Sequence, residues 1–203
     1  MKKQRIAGVI LAAGSSRRMG EPKALLKIGT SIFLETIFKH MEEAKVDPLI
    51  TVLGNDFHQV YKSISNKRNI LFLHNKYPEK GQLYSFQFAL EHIPVDVIGC
   101  LMVLVDHPMV SFPTYLSLMN AGQSMPDKII VPVYQGKRGH PVFWGRKFFK
   151  DLSAAPLSQG ARFVLQKNIE SLYELEVEDD GVIADIDTPD EYSSFLKRLD
   201  PFE

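Results

Sequence analysis

The sequence predicts an α/β fold: a three-layer, mostly parallel, doubly wound sheet in a single domain over residues 1–203. Three observations predict it. Apolar runs of strand length alternate with helix-period segments along the chain. The longest run, Val97 to Val105, is apolar throughout, as a strand buried on both faces should be. The first run, Ile6 to Leu11, leads straight into Ala12-Ala13-Gly14, the arrangement of a strand that hands a ligand loop to the carboxyl edge of the sheet.

The elements follow in order. After the Ile6–Leu11 strand, Ser31 to Lys45 reads as a helix, because Phe33, Ile37 and Met41 share one face with Leu34 and Phe38. Pro48 to Leu53 is a second strand, ended by Gly54-Asn55-Asp56, and Asp56 to Ile64 a helix. Asn69 to His74 is a third strand. Gly81 to His92 is a loop entering a helix, Val97–Val105 the central strand, and Ser111 to Ala121 helical. Lys128 to Val133 is a strand, Gly136 to Pro141 a loop, Val142 to Trp144 a short strand. Ser158 to Lys167 is a helix and Ser171 to Val177 a strand. The last helix announces its start: Thr188 is an N-cap, Pro189 suits the first helical position, and Glu191 completes a capping box. The segment 133–160 is the least regular and is expected to form an insertion over the site.

Charge and cysteine content exclude several classes. Lys plus Arg and Asp plus Glu are both 24, so no global basic field exists to draw in nucleic acid. The single cysteine, Cys100, lies inside the central strand; it forms no intramolecular disulfide, offers no cysteine zinc site, and reads as a core residue. No apolar run approaches the roughly 20 residues that span a bilayer, and no signal peptide is visible, so a soluble, cytoplasmic protein is expected.

The chemistry concentrates first in Leu11-Ala12-Ala13-Gly14-Ser15-Ser16-Arg17-Arg18-Met19-Gly20-Glu21-Pro22-Lys23. Small residues let backbone N–H groups approach a polyphosphate, and Arg17, Arg18 and Lys23 add positive charge. The loop is not a Walker A motif, since Ala24 follows Lys23, nor a Gly-x-Gly-x-x-Gly fingerprint. Asp106 closes the central strand in Val105-Asp106-His107-Pro108, where a carboxylate faces the ligand crevice; Mg²⁺ prefers one or two carboxylates with phosphate oxygens and water. Asp185 and Asp187 are two apart and share a face in extended chain. Gly81 and Ser85 open a helix whose amide end suits a nucleotide base or sugar. Arg138, Gly139 and His140, with Arg162, offer close backbone approach and bidentate phosphate contacts; for His140 a loop-fixing hydrogen bond is the equal alternative. His40, His58, His74 and His92 read as surface or packing residues.

Gly14, Arg18, Met19, Gly20 and Lys23 match Leu-x-x-Gly-x-x-x-Arg-Met-Gly-x-x-Lys, and so the loop resembles that of the nucleotidyltransferases with a Rossmann-like fold. Arg138-Gly139-His140-Pro141-Val142, Gly160-Ala161-Arg162 and Asp185-Ile186-Asp187-Thr188-Pro189 resemble the molybdenum cofactor cytidylyltransferase branch, from Ile10 to Tyr192. The chain departs from that branch at Leu83, Tyr84 and Phe86, at His107, and at Gln159. The resemblance implies a fold of the nucleotide-diphospho-sugar transferase type and a loop that wraps a triphosphate. It implies Arg18 and Lys23 on the phosphates and the departing pyrophosphate, and Asp187 as the second Mg²⁺ carboxylate beside Asp106. It implies CTP and molybdopterin or molybdenum cofactor as substrates, and a molybdenum hydroxylase as receiver of the product. Two further readings stand beside it: transfer to a sugar, polyol or amino-alcohol phosphate, and a non-catalytic carrier of molybdenum cofactor serving a xanthine dehydrogenase-type hydroxylase.

Overall fold

The computed structural model describes residues 4–16, 18–64 and 69–199. The chain builds β1 (Arg5–Ala12), a small hairpin of β2 (Lys27–Ile28) and β3 (Ser31–Ile32), α1 (Phe33–Glu43), β4 (Leu49–Leu53), α2 (Phe57–Ile64), β5 (Ile70–His74), α3 (Gln82–Leu90) and β6 (Val97–Leu104). It continues with α4 (Phe112–Ser124), β7 (Ile129–Tyr134), β8 (Lys137–Arg138), β9 (Val142–Gly145), α5 (Phe149–Ala154), α6 (Arg162–Lys167), β10 (Leu172–Glu176) and α7 (Pro189–Leu199).

The main sheet runs β10-β7-β9-β6-β1-β4-β5, with β8 paired to β7. All pairings along this row are parallel except those of β9, which is antiparallel to both β6 and β7. Period-2 alternation divides β1 between two cores. Ala7, Val9 and Leu11 pack with Leu83, Phe86 and Leu90 of α3 and Val164 of α6. Ile6 and Ile10 pack with Ile37, Phe38 and Met41 of α1, Val60 of α2 and Leu118 of α4. The three-layer architecture expected from the alternation is therefore present, with both sheet faces covered by helices. Cys100 is a buried core residue. Among the described residues no helix is long and apolar enough to cross a membrane.

The structure corrects several boundaries. The first helix starts at Phe33, because Ser31 and Ile32 pair with Ile28 and Lys27. The helix expected over 158–167 is regular only from Arg162, after a 3-10 turn at Leu157–Gln159 and a left-handed Gly160. The loop expected over 136–141 includes β8, folded back on Val133 and Tyr134. The segment 133–160 is not an insertion over the site as a whole: its strand β9 is buried between β6 and β7. At the last helix the capping box forms as expected. Thr188 N–H donates to Glu191 Oε2 at 2.8 Å, and Glu191 N–H donates to Thr188 Oγ1 at 3.3 Å.

Phe143 of β9 fills space that two glycines leave: a Cβ on Gly99 or Gly122 would lie 2.5 or 2.7 Å from its ring. It is fully buried, whereas Leu71 on the edge strand β5 is 45% exposed. Phe143→Ala should cost about 3–5 kcal/mol in urea unfolding and Leu71→Ala under about 1 kcal/mol. Equal losses would contradict this placement of the core.

Candidate active site

Three neighbouring strands end at one crevice. β1 stops at Ala12, β4 at Leu53 and β6 at Leu104, with β1 between the other two. The chain builds outward from β1 through β4 to β5, then returns to place β6 on the far side of β1. Such a reversal opens a crevice beyond the carboxyl ends of the strands. A cavity of about 540 Å³ occupies it, within the range of small-molecule sites.

The first loop forms one wall. Leu11, Ala12, Ala13, Gly14, Ser15, Ser16, Arg18 and Lys23 all line the cavity; Arg17 lies outside the described residues. Ser16 closes the loop on itself. Its carbonyl accepts from the N–H groups of Met19 at 3.0 Å and Gly20 at 3.2 Å, and its Oγ accepts from Lys23 N–H at 3.2 Å. The turn uses left-handed backbone at Ser16 (φ 41°) and Gly20 (φ 75°), the second of which carries no Cβ to resist it. Gly54, at the end of β4, lets the loop lie flat against its neighbour: a Cβ there would sit 2.5 Å from the Ala13 carbonyl oxygen.

The opposite wall comes from the start of α3. Gly81 and Ser85 line the cavity as expected, together with Gln82 and Pro78. Ser85 is buried, and its hydroxyl accepts from Asn75 Nδ2 at 2.9 Å. Asn75 Oδ1 in turn accepts from Tyr77 N–H at 2.8 Å. Sequence reasoning missed Gly54, Asn75 and Gln82. The signals were present only as a glycine and an asparagine directly after two strands.

Asp106 and Asp187 both line this cavity, although they are far apart in sequence. The link between them is Lys23. Its Nζ lies 3.6 Å from Asp106 Oδ2 and donates a short hydrogen bond to Asp187 Oδ1. Arg18 Nη2 donates to Asp187 Oδ2 at 2.7 Å. Lys23 is only 13% exposed and Arg18 67%, so water screens the lysine contacts far less. The Lys23 hydrogen bond above all, with Arg18 adding to it, holds the Asp187 carboxyl below the usual carboxylate range. Asp185 is exposed and does not line the cavity, so it does not share the face of Asp187 as the two-residue spacing predicted.

A divalent cation fits this arrangement. Asp106 Oδ1 is a buried acceptor with no hydrogen-bond partner. Among the described residues no cluster of three or more His, Cys, Asp or Glu gathers to hold a metal by protein ligands alone. Two carboxylates in the lining of a cavity of this size suit an ion that shares its coordination with substrate phosphates and water.

The residues read as the acceptor side lie elsewhere. Arg138, Gly139, His140 and Arg162 are not in the cavity wall. Arg138 is exposed on β8 and donates to Glu174 Oε1 at 2.5 Å. Gly139 is required by chain packing, since a Cβ would fall 2.1 Å from the Val182 carbonyl oxygen. His140 N–H donates to that carbonyl at 2.8 Å, so the loop-fixing alternative describes its backbone. Its ring lies 5.3 Å from that of buried His107. Arg162 is exposed at the start of α6.

Comparison with known proteins adds four findings. The MobA-like NTP transferase domain family matches residues 8–172. The molybdenum cofactor cytidylyltransferase of Escherichia coli K12 is 26% identical over 192 residues, 94% of this chain and 95% of that protein. The crystal structure of Rv0371c from Mycobacterium tuberculosis superposes with a TM-score of 0.83 at 27% identity, covering 96% of this chain and 99% of that one. Rv0371c has also been solved in complex with manganese, with a TM-score of 0.79, 24% identity, and 97% and 100% coverage.

The buried imidazole gives a pH signature. Burial, with His107 adding to it, pushes His140 from an ordinary value of 6.5 down to about 4, against a hydrogen bond that the ring donates to the Met102 backbone carbonyl. Between those values the unfolded chain takes up a proton that the folded chain refuses, so stability falls as pH falls through this window. Urea unfolding of the wild type should lose about 2 kcal/mol more between pH 7.5 and 5 than that of His140→Asn. Equal losses would show that His140 titrates normally.

Proposed function

The chain belongs to the MobA-like NTP transferase family, and on that premise we propose that it transfers a cytidylyl group from CTP to the terminal phosphate of molybdopterin or molybdenum cofactor, releasing pyrophosphate with Mg²⁺ bound. The chain is a nucleotidyltransferase. The observation that carries the finer reading is the pairing of Asp106 and Asp187 through Lys23 beside a loop of small residues that lines a nucleotide-sized cavity. The similarity to the E. coli cytidylyltransferase over nearly the whole of both chains supports the nucleotide and the acceptor.

In this reading the backbone of Leu11 to Ser16 receives the triphosphate, and Gly81, Gln82 and Ser85 face the base and ribose. Asp106 and Asp187 would hold Mg²⁺, which would align phosphate oxygens and neutralise their charge; the manganese complex of Rv0371c supports a divalent ion of this kind. Arg18 and Lys23 release their hold on Asp187 and turn to the phosphates, where their charge meets that building on departing pyrophosphate. A terminal phosphate oxygen of the acceptor attacks the α-phosphorus, and the bond to the bridging oxygen of pyrophosphate breaks. No protein nucleophile or general base is required, because the attacking oxygen is already anionic. Positioning and charge neutralisation therefore carry the rate. Arg162 and Arg138, exposed outside the cavity wall, are assigned to an acceptor that extends beyond it.

The test mixes protein, Mg²⁺, molybdenum cofactor and each nucleoside triphosphate in turn and measures pyrophosphate. CTP should give the fastest release. Asp106→Asn and Lys23→Met should each lower kcat by about 100-fold or more, the scale of losing one electrostatic contact to a transition state. Release with GTP alone would reassign the base; no release with any nucleotide contradicts the proposal. Release with a sugar or polyol phosphate but not with the pterin would reassign the acceptor.

A further inference from the structure

Asp187 stands on a segment that has almost no regular structure. Between the end of β10 at Glu176 and the start of α7 at Pro189, the only element is a 3-10 turn at Asp180–Val182. Something other than a helix or strand must hold the second carboxylate opposite the first. Tertiary contacts do so, among them contacts at three places. Ile186 N–H donates to the Asp106 carbonyl at 2.9 Å, and the Val182 carbonyl accepts from His140 N–H at 2.8 Å. The third place is Asp179.

The Asp179 carboxylate accepts four hydrogen bonds. Oδ2 receives Ser111 N–H at 2.9 Å, Ser111 Oγ–H at 2.8 Å and Thr114 Oγ1–H at 2.5 Å. Oδ1 receives Gly181 N–H at 3.0 Å. Ser111 is the N-cap of α4, yet its hydroxyl makes no cap bond to its own helix. It is turned outward onto Asp179, and buried Thr114 in the first turn of α4 does the same. A carboxylate at a helix N-terminus also meets the favourable end of the helix dipole. Charge-assisted bonds of this kind are roughly twice as strong as neutral ones. Gly181 completes the fit, since a Cβ there would lie 2.6 Å from Met109 backbone atoms. The 3-10 turn is thereby pressed onto the chain just beyond Asp106. Asp179 itself does not line the cavity.

We propose that Asp179 is a positioning residue for nucleotidyl transfer: by docking its segment on the start of α4 it sets the spacing of Asp187 from Asp106, and with it the affinity of the pair for a divalent cation shared with the nucleotide. The proposal rests on the reading of the site as a metal-dependent nucleotidyltransferase. The triphosphate loop touches Asp187 through Arg18 and Lys23, but its backbone is closed through Ser16 and laid against Gly54, so Asp179 should govern the cation far more than the nucleotide.

The experiment titrates Mn²⁺ into protein holding CTP, reads free Mn²⁺ by electron paramagnetic resonance, and measures CTP binding without metal by calorimetry. Asp179→Ala should weaken Mn²⁺ at least tenfold while CTP affinity changes less than threefold. Asp179→Asn, which keeps an acceptor oxygen, should recover part of the loss. Thr114→Val removes one donor without emptying the space and should shift Mn²⁺ a few-fold, giving a readout if Asp179→Ala does not fold. Hydrogen exchange at Ile186 and Asp187 should quicken in each variant in the same order. Wild-type Mn²⁺ affinity in the variants, with only the melting temperature lowered, overturns the proposal. A wild type that binds no Mn²⁺ with any nucleotide overturns the functional reading instead; unchanged exchange at Ile186 and Asp187 in Asp179→Asn and Thr114→Val then overturns the anchoring as well.

Discussion

Two carboxylates that share one lysine in the lining of a partly buried cavity repel unless a cation or a proton offsets their charge, and the site is organised around that constraint. Like charges at this range repel by several kcal/mol once water is partly excluded. Lys23 answers the repulsion in the chain itself, reaching from the first loop to both Asp106 and Asp187. The position is one that a divalent ion suits, and the unpartnered Asp106 Oδ1 marks a side of the pair that the lysine leaves unanswered. Under the proposed function the ammonium and a metal ion would be alternatives for the same charge, and metal entry would follow the arrival of phosphates that draw Lys23 away.

Everything upstream serves to bring these three groups together. Lys23 is placed by a loop closed through Ser16 and laid against Gly54. Asp106 is placed by the central strand, whose flanks are buried on both sides. Asp187 depends on docking rather than on secondary structure. The least regular part of the site is therefore the part whose geometry rests on the most distant contacts.

That difference also decides what the sequence revealed. The strand ending at Ala12, the small-residue loop, Asp106 at the end of the longest apolar run and the Thr188–Glu191 capping box are local patterns, each read within about a dozen residues. The antiparallel direction of β9 is not local: four apolar residues look the same in either direction, and only pairing with β6 and β7 decides it. The hairpin of β2 and β3 is too short for any periodicity to show. Gly139 reads as a point of close ligand approach and His140 equally as a ligand contact or a loop-fixing residue; their packing against Val182 is invisible without the fold. Asp179 shows the same limit, since its donors on α4 lie 65 and 68 positions earlier and leave no spacing to recognise.

The central claim is that Lys23 and a divalent cation exchange places between Asp106 and Asp187. It is tested most directly by a crystal structure grown with Mn²⁺ and a non-hydrolysable CTP analogue, with the metal located by anomalous scattering. The account predicts an anomalous peak within coordination distance of both carboxylates, with Lys23 Nζ moved onto the phosphates. A Lys23 still lodged between Asp106 and Asp187, with the metal bound elsewhere, would contradict it.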